Sequence, residues 1–434
     1  MRRLSLLRSS ARHAVAAVLA AAAARGAGAQ TVAIVGGTVY PVAGPRIDRG
    51  TVLIRDGRVV AVGQNVAIPA NARRVDATGR VVTPGFVDAN TQLGVYEIGG
   101  VRDTRDAYAR GRDAVAASFA VWEGFNPASV LIPPTRNDGV TTAVVMPQGG
   151  LVAGQAAVVH LDGRTAQEAL LRPVAAMVAE VGDSRQAGVG ARGELVGRLR
   201  ELLADARTFG RSRALYERNQ TRTYSATRAD LEALQPVLAG RVPMLVEADR
   251  AADIDAALRL AREFGFRLMV AGGAEAWQLA DRLAAARVPV VTGAMNNIPS
   301  GFASLGQRQE NAGLLAAAGV PVAIVGNAGG GDEEAFNVRN VRFEAGNAVA
   351  YGMTYDAALR AVTLTPAELF GVADRVGALA PGRDADVVVW TGDPFEFASR
   401  AEHVFIRGRE VTGESRQDEL ARRYRTLPPA YTRP

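Results

Sequence analysis

The chain has 434 residues, 48% hydrophobic and 22% charged, which suits one large or two modest globular domains and excludes a disordered or fibrous chain. Five arginines and no acid fall in residues 1–29, so the formal charge of +6 leaves only +1 for the rest, too little to imply nucleic acid or an anionic membrane surface as a partner. Cysteine is absent, which excludes disulfides, thiolate metal sites and a cysteine nucleophile.

The first element reads as an export signal. Arg2, Arg3, Arg8 and Arg12 make a basic start, and residues 14–24 form an alanine-rich apolar run. That run is shorter than the ~20 residues a membrane span needs. Ala27, Gly28 and Ala29 make a small-residue cleavage site, so the mature chain is expected to begin at Gln30, in the periplasm, with no stable membrane insertion. An uncleaved amphipathic anchor fits less well, because the polar face is poor and Gly26 to Ala29 break the helix.

From Thr31, β-branched runs appear at 31–35, 50–55 and 58–63, broken by Gly36-Gly37 and by Asp56-Gly57, a favoured hairpin turn. Residues 384–390 and 403–407 repeat this style near the other end. Between them short buried strands alternate with amphipathic helices, most clearly strands over 242–248, 267–270, 288–294 and 320–327 with helices over 251–264 and 275–286. In the last of these helices Ala276, Leu279, Ala280 and Leu283 line one face. The alternation predicts an α/β fold with a parallel sheet and right-handed crossovers. The arginine-rich tail, 414–434, is expected to be solvated and partly helical.

The centre of the sequence is residues 82–94. Pro84-Gly85 turns into the apolar run Phe86 to Ala89, a buried strand, after which Asn90 and Gln92 emerge. Alternate residues of a strand share a face, so both amides should point into the same space. This stretch resembles the first barrel strand of the amidohydrolase superfamily, Pro-Gly-hydrophobic-hydrophobic-Asp-x-His-x-His, with Asn90 and Gln92 standing where that family has its two histidines. Residues 139–147 resemble the second barrel strand, and 149–156 resemble the segment next to that strand in the imidazolonepropionase-like branch. Residues 358–372 are similar to the helix pair closing the barrel, and 376–390 to the return into the small domain. The resemblance covers nearly all of the mature chain. It implies a (β/α)8 TIM-type barrel over 84–371, near the ~250 residues typical of that fold. It also implies a small β-sandwich built from 30–83 and 372–413.

The same resemblance implies one or two divalent metals, held by the His-x-His pair, a Lys or Glu on strand four, a His on each of strands five and six, and an Asp on strand eight that takes a proton from metal-bound water. Carried over residue by residue, those positions are Asn90 and Gln92, Glu180, Glu247, Gly272 and Asn327. Amides are poor zinc ligands, Gly272 offers no donor, and Asn327 cannot act as a general base. No lysine exists to be carbamylated, and the three histidines (His13, His160 and His403) stand at no ligand position. No cofactor is therefore expected. A hard divalent cation on the oxygens of Asn90, Gln92, Glu247, Asp249 and Asn327 is the alternative.

His160 reads as a satisfied histidine at a strand end rather than a lone base, and His403 as structural. Gly188, Gly190 and Gly193 match G-x-G-x-x-G, but no strand immediately precedes them, so a loop is expected rather than a dinucleotide site. Gly329, Gly330 and Gly331 lack the lysine of a phosphate loop. Glu247 and Asp249 remain as weak catalytic candidates. Two carboxylates at i and i+2 split their pKa values and suit acid–base work, whereas pairing with Arg250 or another arginine would make them structural.

The expected function is an exported amidohydrolase-fold protein without the usual metal catalysis. It would be a ligand-binding protein with an unknown small-molecule ligand, or the partner of an active homologue in a homo- or hetero-oligomer. Two competing expectations are a hydrolase of carbon–nitrogen bonds working through Glu247 and Asp249, and a scaffold whose barrel mouth is plugged by residues 94–136.

Overall fold

The computed structural model describes residues 31–109, 111–112, 114–183, 190–295, 299, 301–326, 333–411 and 414–425. The expected signal with His13, Gly188, Gly329 to Gly331 and Asn327 lie outside the described residues.

The chain opens with strands β1 (Val32–Val39), β2 (Ile47–Arg55), β3 (Arg58–Gly63), β4 (Arg73–Asp76) and β5 (Val81–Pro84). Gly36 and Gly37 kink β1 rather than end it. Gly36 has φ +84°, and the register with β2 slips on either side of Gly37, a bulge that glycine accommodates without a Cβ penalty. Val32 to Val35 pair with β4, and Thr38 and Val39 with β5, so β1 passes from one neighbour to the other along its length.

The second sheet comprises β6 (Phe86–Thr91), β7 (Val140–Val145), β8 (Val152–His160), β9 (Leu170–Glu180), β10 (Met244–Ala248), β11 (Leu268–Gly272), β12 (Val290–Thr292) and β13 (Val322–Ile324), adjacent in that order. It closes on itself, because the N–H of Gly326, just past β13, donates to Asp88 Oδ2 on β6 at 2.7 Å. The expected all-parallel (β/α)8 pattern is broken at one strand. β8 runs antiparallel to both β7 and β9, while the other paired neighbours are parallel. Chain length forces this. Only residues 146–151 join β7 to β8, and a parallel return needs a crossover of roughly a dozen residues or more. Gly149 (φ +84°) and Gly150 (φ +78°) make the reversal.

Beyond β9 the predicted alternation holds. The helix Ala251–Phe264 has its predicted bounds, whereas 275–286 divides into a 3-10 turn, Ala276–Leu279, and a helix, Ala280–Ala286. Leu245, Met269, Ala271, Val291, Ala323 and Val325 fill the barrel centre, and the intervening Val246, Val270, Val290 and Val322 pack in the surrounding core, as strand alternation requires.

The last strands, β14 (Val387–Trp390), β15 (Ala401–Ile406) and β16 (Arg409–Glu410), join the first sheet in one network ordered β16-β15-β14-β5-β1-β2-β3. Trp390 is fully buried where this sheet meets the barrel. Its ring stacks on Phe86 at 5.1 Å, and its indole N–H donates to Thr83 Oγ1 at 2.9 Å. The tail carries the helix Arg416–Tyr424, started by a capping box at Ser415 and Asp418.

Candidate functional site

Strand alternation decides what reaches the barrel mouth. Val178 faces the centre on β9 and Leu245 on β10, so the next inward residues are Glu180 and Glu247, which stand opposite each other in register. Glu180 Oε1 accepts the N–H groups of Gly182 (2.5 Å) and Asp183 (2.7 Å), and its carboxyl is hydrogen-bonded to that of Glu247. Burial, and then the Glu247 charge, raise the Glu180 carboxyl well above the usual glutamate range. Burial raises Glu247 as well, against the opposing effect of its bond from Glu180. The two facing carboxyls titrate as a coupled pair, both displaced upward.

The expected pair was Glu247 with Asp249, and the structure replaces it with Glu247 and Glu180. Asp249 is engaged elsewhere: its Oδ1 accepts the N–H of Ala274 at 3.2 Å, and its backbone oxygen that of Glu275 at 2.8 Å. Burial raises its pKa. Glu275 in turn accepts from Ala251 at 2.9 Å, so these two acids tie together the loops after β10 and β11. Arg250 points to Asp253, at 4.0 Å, and the partner of Glu247 is a second carboxyl rather than a guanidinium.

On β6, Asp88 lies opposite Ala143 and Thr91 opposite Val145, a bulge that takes in Asn90 and ends before Gln92. Asn90 is half-buried and Gln92 fully buried. Gly272 is not the inward residue of β11. It pairs with Ala248, and the residue opposite Glu247 at the barrel centre is Ala271. Gly272 has φ +79°, where an L side chain is strained, and a Cβ there would lie 2.5 Å from Asp249 Oδ1, so a larger residue would require that carboxylate to move. The alternation of Met269 and Ala271 carried the signal for the inward position, which counting back from the strand end missed.

Asp88 is 1% exposed and accepts the N–H groups of Asn90 (3.0 Å) and Gly326 (2.7 Å), yet burial dominates and raises its pKa from 3.8 to about 7. Because the folded value is the higher one, its stabilisation is complete below pH 3.8 and is lost as pH rises through about 7. In Asp88→Asn, urea unfolding between pH 4 and 7 should therefore show a fall of stability with pH that is shallower by about 1.4 kcal/mol per unit. Equal slopes in the two proteins would contradict this.

His160 lies far from the mouth, because the antiparallel β8 carries it to the end where the other strands begin. It is 2% exposed, with Nε2 3.3 Å from Asp384 Oδ2 and Nδ1 3.3 Å from Asp386 Oδ2. Asp384 also meets Arg375 at 2.6 Å. His403 Nδ1 lies 2.6 Å from Glu410 Oε1 in the first sheet. Both histidines have structural partners. Of the G-x-G-x-x-G match, Arg192 and Gly193 open the 20-residue helix Arg192–Arg211, and Gly190 N–H donates back to Glu194 at 3.1 Å.

Gln148, Gly150, Val178, Glu180 and Glu247 help enclose a cavity of about 10 Å³, room for about one water. The 94–136 segment runs along its rim: Tyr108 pairs with Gln148, Val115 with Val152 and Ala120 with Gln155, and the Tyr108 hydroxyl donates to Gln148 Oε1 at 2.5 Å. Among the described residues no group of three or more His, Asp or Glu is placed to hold a metal. The donors at the mouth, Asn90, Gln92, Glu180 and Glu247, are amides and carboxyls, and Ala271 offers none. A divalent metal gripped by imidazole nitrogens does not fit this set.

Residues 246–411 match the Amidohydrolase family. The chain is 26% identical over 398 residues to amidohydrolase tasK of Hapsidospora irregularis, a match covering 83% of this chain but only 39% of that protein's length. It is 24% identical over 375 residues to the imidazolonepropionase of Mesorhizobium japonicum, covering 79% of this chain and 87% of the relative. Its fold superposes on the crystal structure of an amidohydrolase from Thermotoga maritima with a TM-score of 0.79 at 29% identity, over 88% of this chain and 100% of that one. The closed eight-stranded sheet is a TIM-type barrel, and the chain carries an amidohydrolase family domain.

Proposed function

We propose that this chain is an exported amidohydrolase-fold protein that does not catalyse through the family's usual metal, and that it serves as a ligand-binding or partner subunit of an active homologue. One observation carries the reading. Among the described residues, the positions onto which the resemblance carries the superfamily's nitrogen ligands are Asn90, Gln92, Glu247 and Gly272, none of them histidine, and Glu247 is bonded to Glu180. Export rests on residues 1–29.

Coexpressed with an amidohydrolase that keeps the full histidine set, the tagged chain is expected to copurify with it at fixed stoichiometry. Alone, it should show no turnover of cyclic amides or dipeptides. The Glu180–Glu247 pair does set two carboxyls with raised pKa values side by side, an arrangement compatible with acid–base hydrolysis. Turnover by the isolated chain that Glu247→Gln abolishes would replace the proposal with a hydrolase of carbon–nitrogen bonds.

A further inference from the structure

A cavity of about 610 Å³ lies at the opposite end of the barrel from Glu180 and Glu247, within the size range of small-molecule pockets. Pro243, Arg267, Pro289 and Pro321, the residues that immediately precede β10, β11, β12 and β13, form its floor. The prolines have no N–H, and their carbonyls are already used, accepting from Met177, Val270 and Val290 at 2.9–3.0 Å. The floor therefore presents apolar rings rather than backbone polarity. Leu258, Phe266 and Leu268 continue that apolar surface.

Charge in the cavity has one sign. Arg262, Arg267 and Arg287 line it, and no acidic residue does. Nearby arginines have carboxylate partners: Arg259 and Arg282 share Asp255, and Arg200 meets Glu263. Among the described residues Arg262, Arg267 and Arg287 have no carboxylate partner. Arg262, in the last turn of its helix, and Arg287, at a helix C-cap, have favourable helix dipoles beside them, but Arg267 stands at neither kind of position. Three arginines, all solvent-exposed, at the lining of a cavity with an apolar floor match the headgroup and body of one kind of ligand.

We propose that this cavity binds a small organic anion, an apolar body carrying a carboxylate or sulfonate. This site is separate from the barrel mouth and independent of the function proposed above. The test uses the mature full-length chain and the fluorescent probe 8-anilinonaphthalene-1-sulfonate, with decanoate as competitor and the neutral N-phenyl-1-naphthylamine as control. One saturable sulfonate site is expected, displaced by decanoate and weakened by salt. The triple substitution Arg262→Ser, Arg267→Ser and Arg287→Ser should weaken sulfonate binding by about tenfold or more while leaving the neutral probe and the circular dichroism spectrum unchanged. Arg259→Ser, on the same helix but paired with Asp255, should leave sulfonate binding as it was. Sulfonate binding that survives the triple substitution, or no saturable binding at all, overturns the proposal.

Discussion

Trp390→Ala should lower the unfolding free energy by about 3–5 kcal/mol, the range for removing a large buried ring from a packed core. The ring is 0% exposed, stacks on Phe86, and gives its N–H to Thr83 Oγ1. Gly139, with φ +85°, is shaped to receive it, since a Cβ there would come within 2.4 Å of the ring. Truncation leaves a cavity between the barrel and the first sheet, and the buried Thr83 hydroxyl, which still donates to Pro84 O at 2.8 Å, loses the N–H it accepts. Trp390→Phe should restore most of the loss but not the hydrogen bond, leaving a deficit of about 1 kcal/mol or somewhat more. Urea unfolding measures both. A loss under about 1 kcal/mol for the alanine variant would mean that this contact does not hold the two sheets together.

His160→Ala should cost a comparable amount, about 3–5 kcal/mol at pH 6, because it strips a cation from between two buried carboxylates. Burial alone would lower the His160 pKa, but the charge of Asp386 and the bonds to Asp384 and Asp386 outweigh it and raise the value above 6.5. Burial pushes Asp384 upward, yet His160 and Arg375 outweigh it and hold it at about 2. These shifts set the sign of the pH dependence. A histidine raised in the fold contributes its full stabilisation below about 6.5 and loses it as pH rises through the folded value. The gap between the wild type and His160→Ala should therefore be widest near pH 6 and narrow by pH 9. A gap of constant size across that range would show that the histidine is not charged in the fold.

Much of this architecture was legible because local rules agreed with one another. Residues 251–264 keep their predicted bounds, and the Asp56-Gly57 turn joins β2 to β3 as read. The antiparallel β8 was also legible in principle, since the loop 146–151 is too short for a crossover, but reading every strand as part of one repeating unit concealed it. Strand ends were the weakest point. Runs predicted over 288–294 and 320–327 shorten to Val290–Thr292 and Val322–Ile324, because residues at the mouth keep strand-like composition after pairing stops. The same uncertainty shifted the strand-six position from Ala271 to Gly272. The Glu180–Glu247 contact needed the register between β9 and β10, which joins residues separated by a long helical segment and leaves no local trace. Asp88 was quoted as part of a motif, but its bond to Gly326 across the seam depends on closure of the sheet.

The most direct test is the metal content of the untagged mature chain, purified without chelators, incubated with zinc or manganese and then desalted, with elemental analysis by mass spectrometry. A mouth offering amides at Asn90 and Gln92 and a facing pair of glutamates, with no imidazole, predicts far less than one ion per chain. A stoichiometric transition metal that is lost in Gln92→Ala or Glu247→Ala would contradict the loss of the metal site.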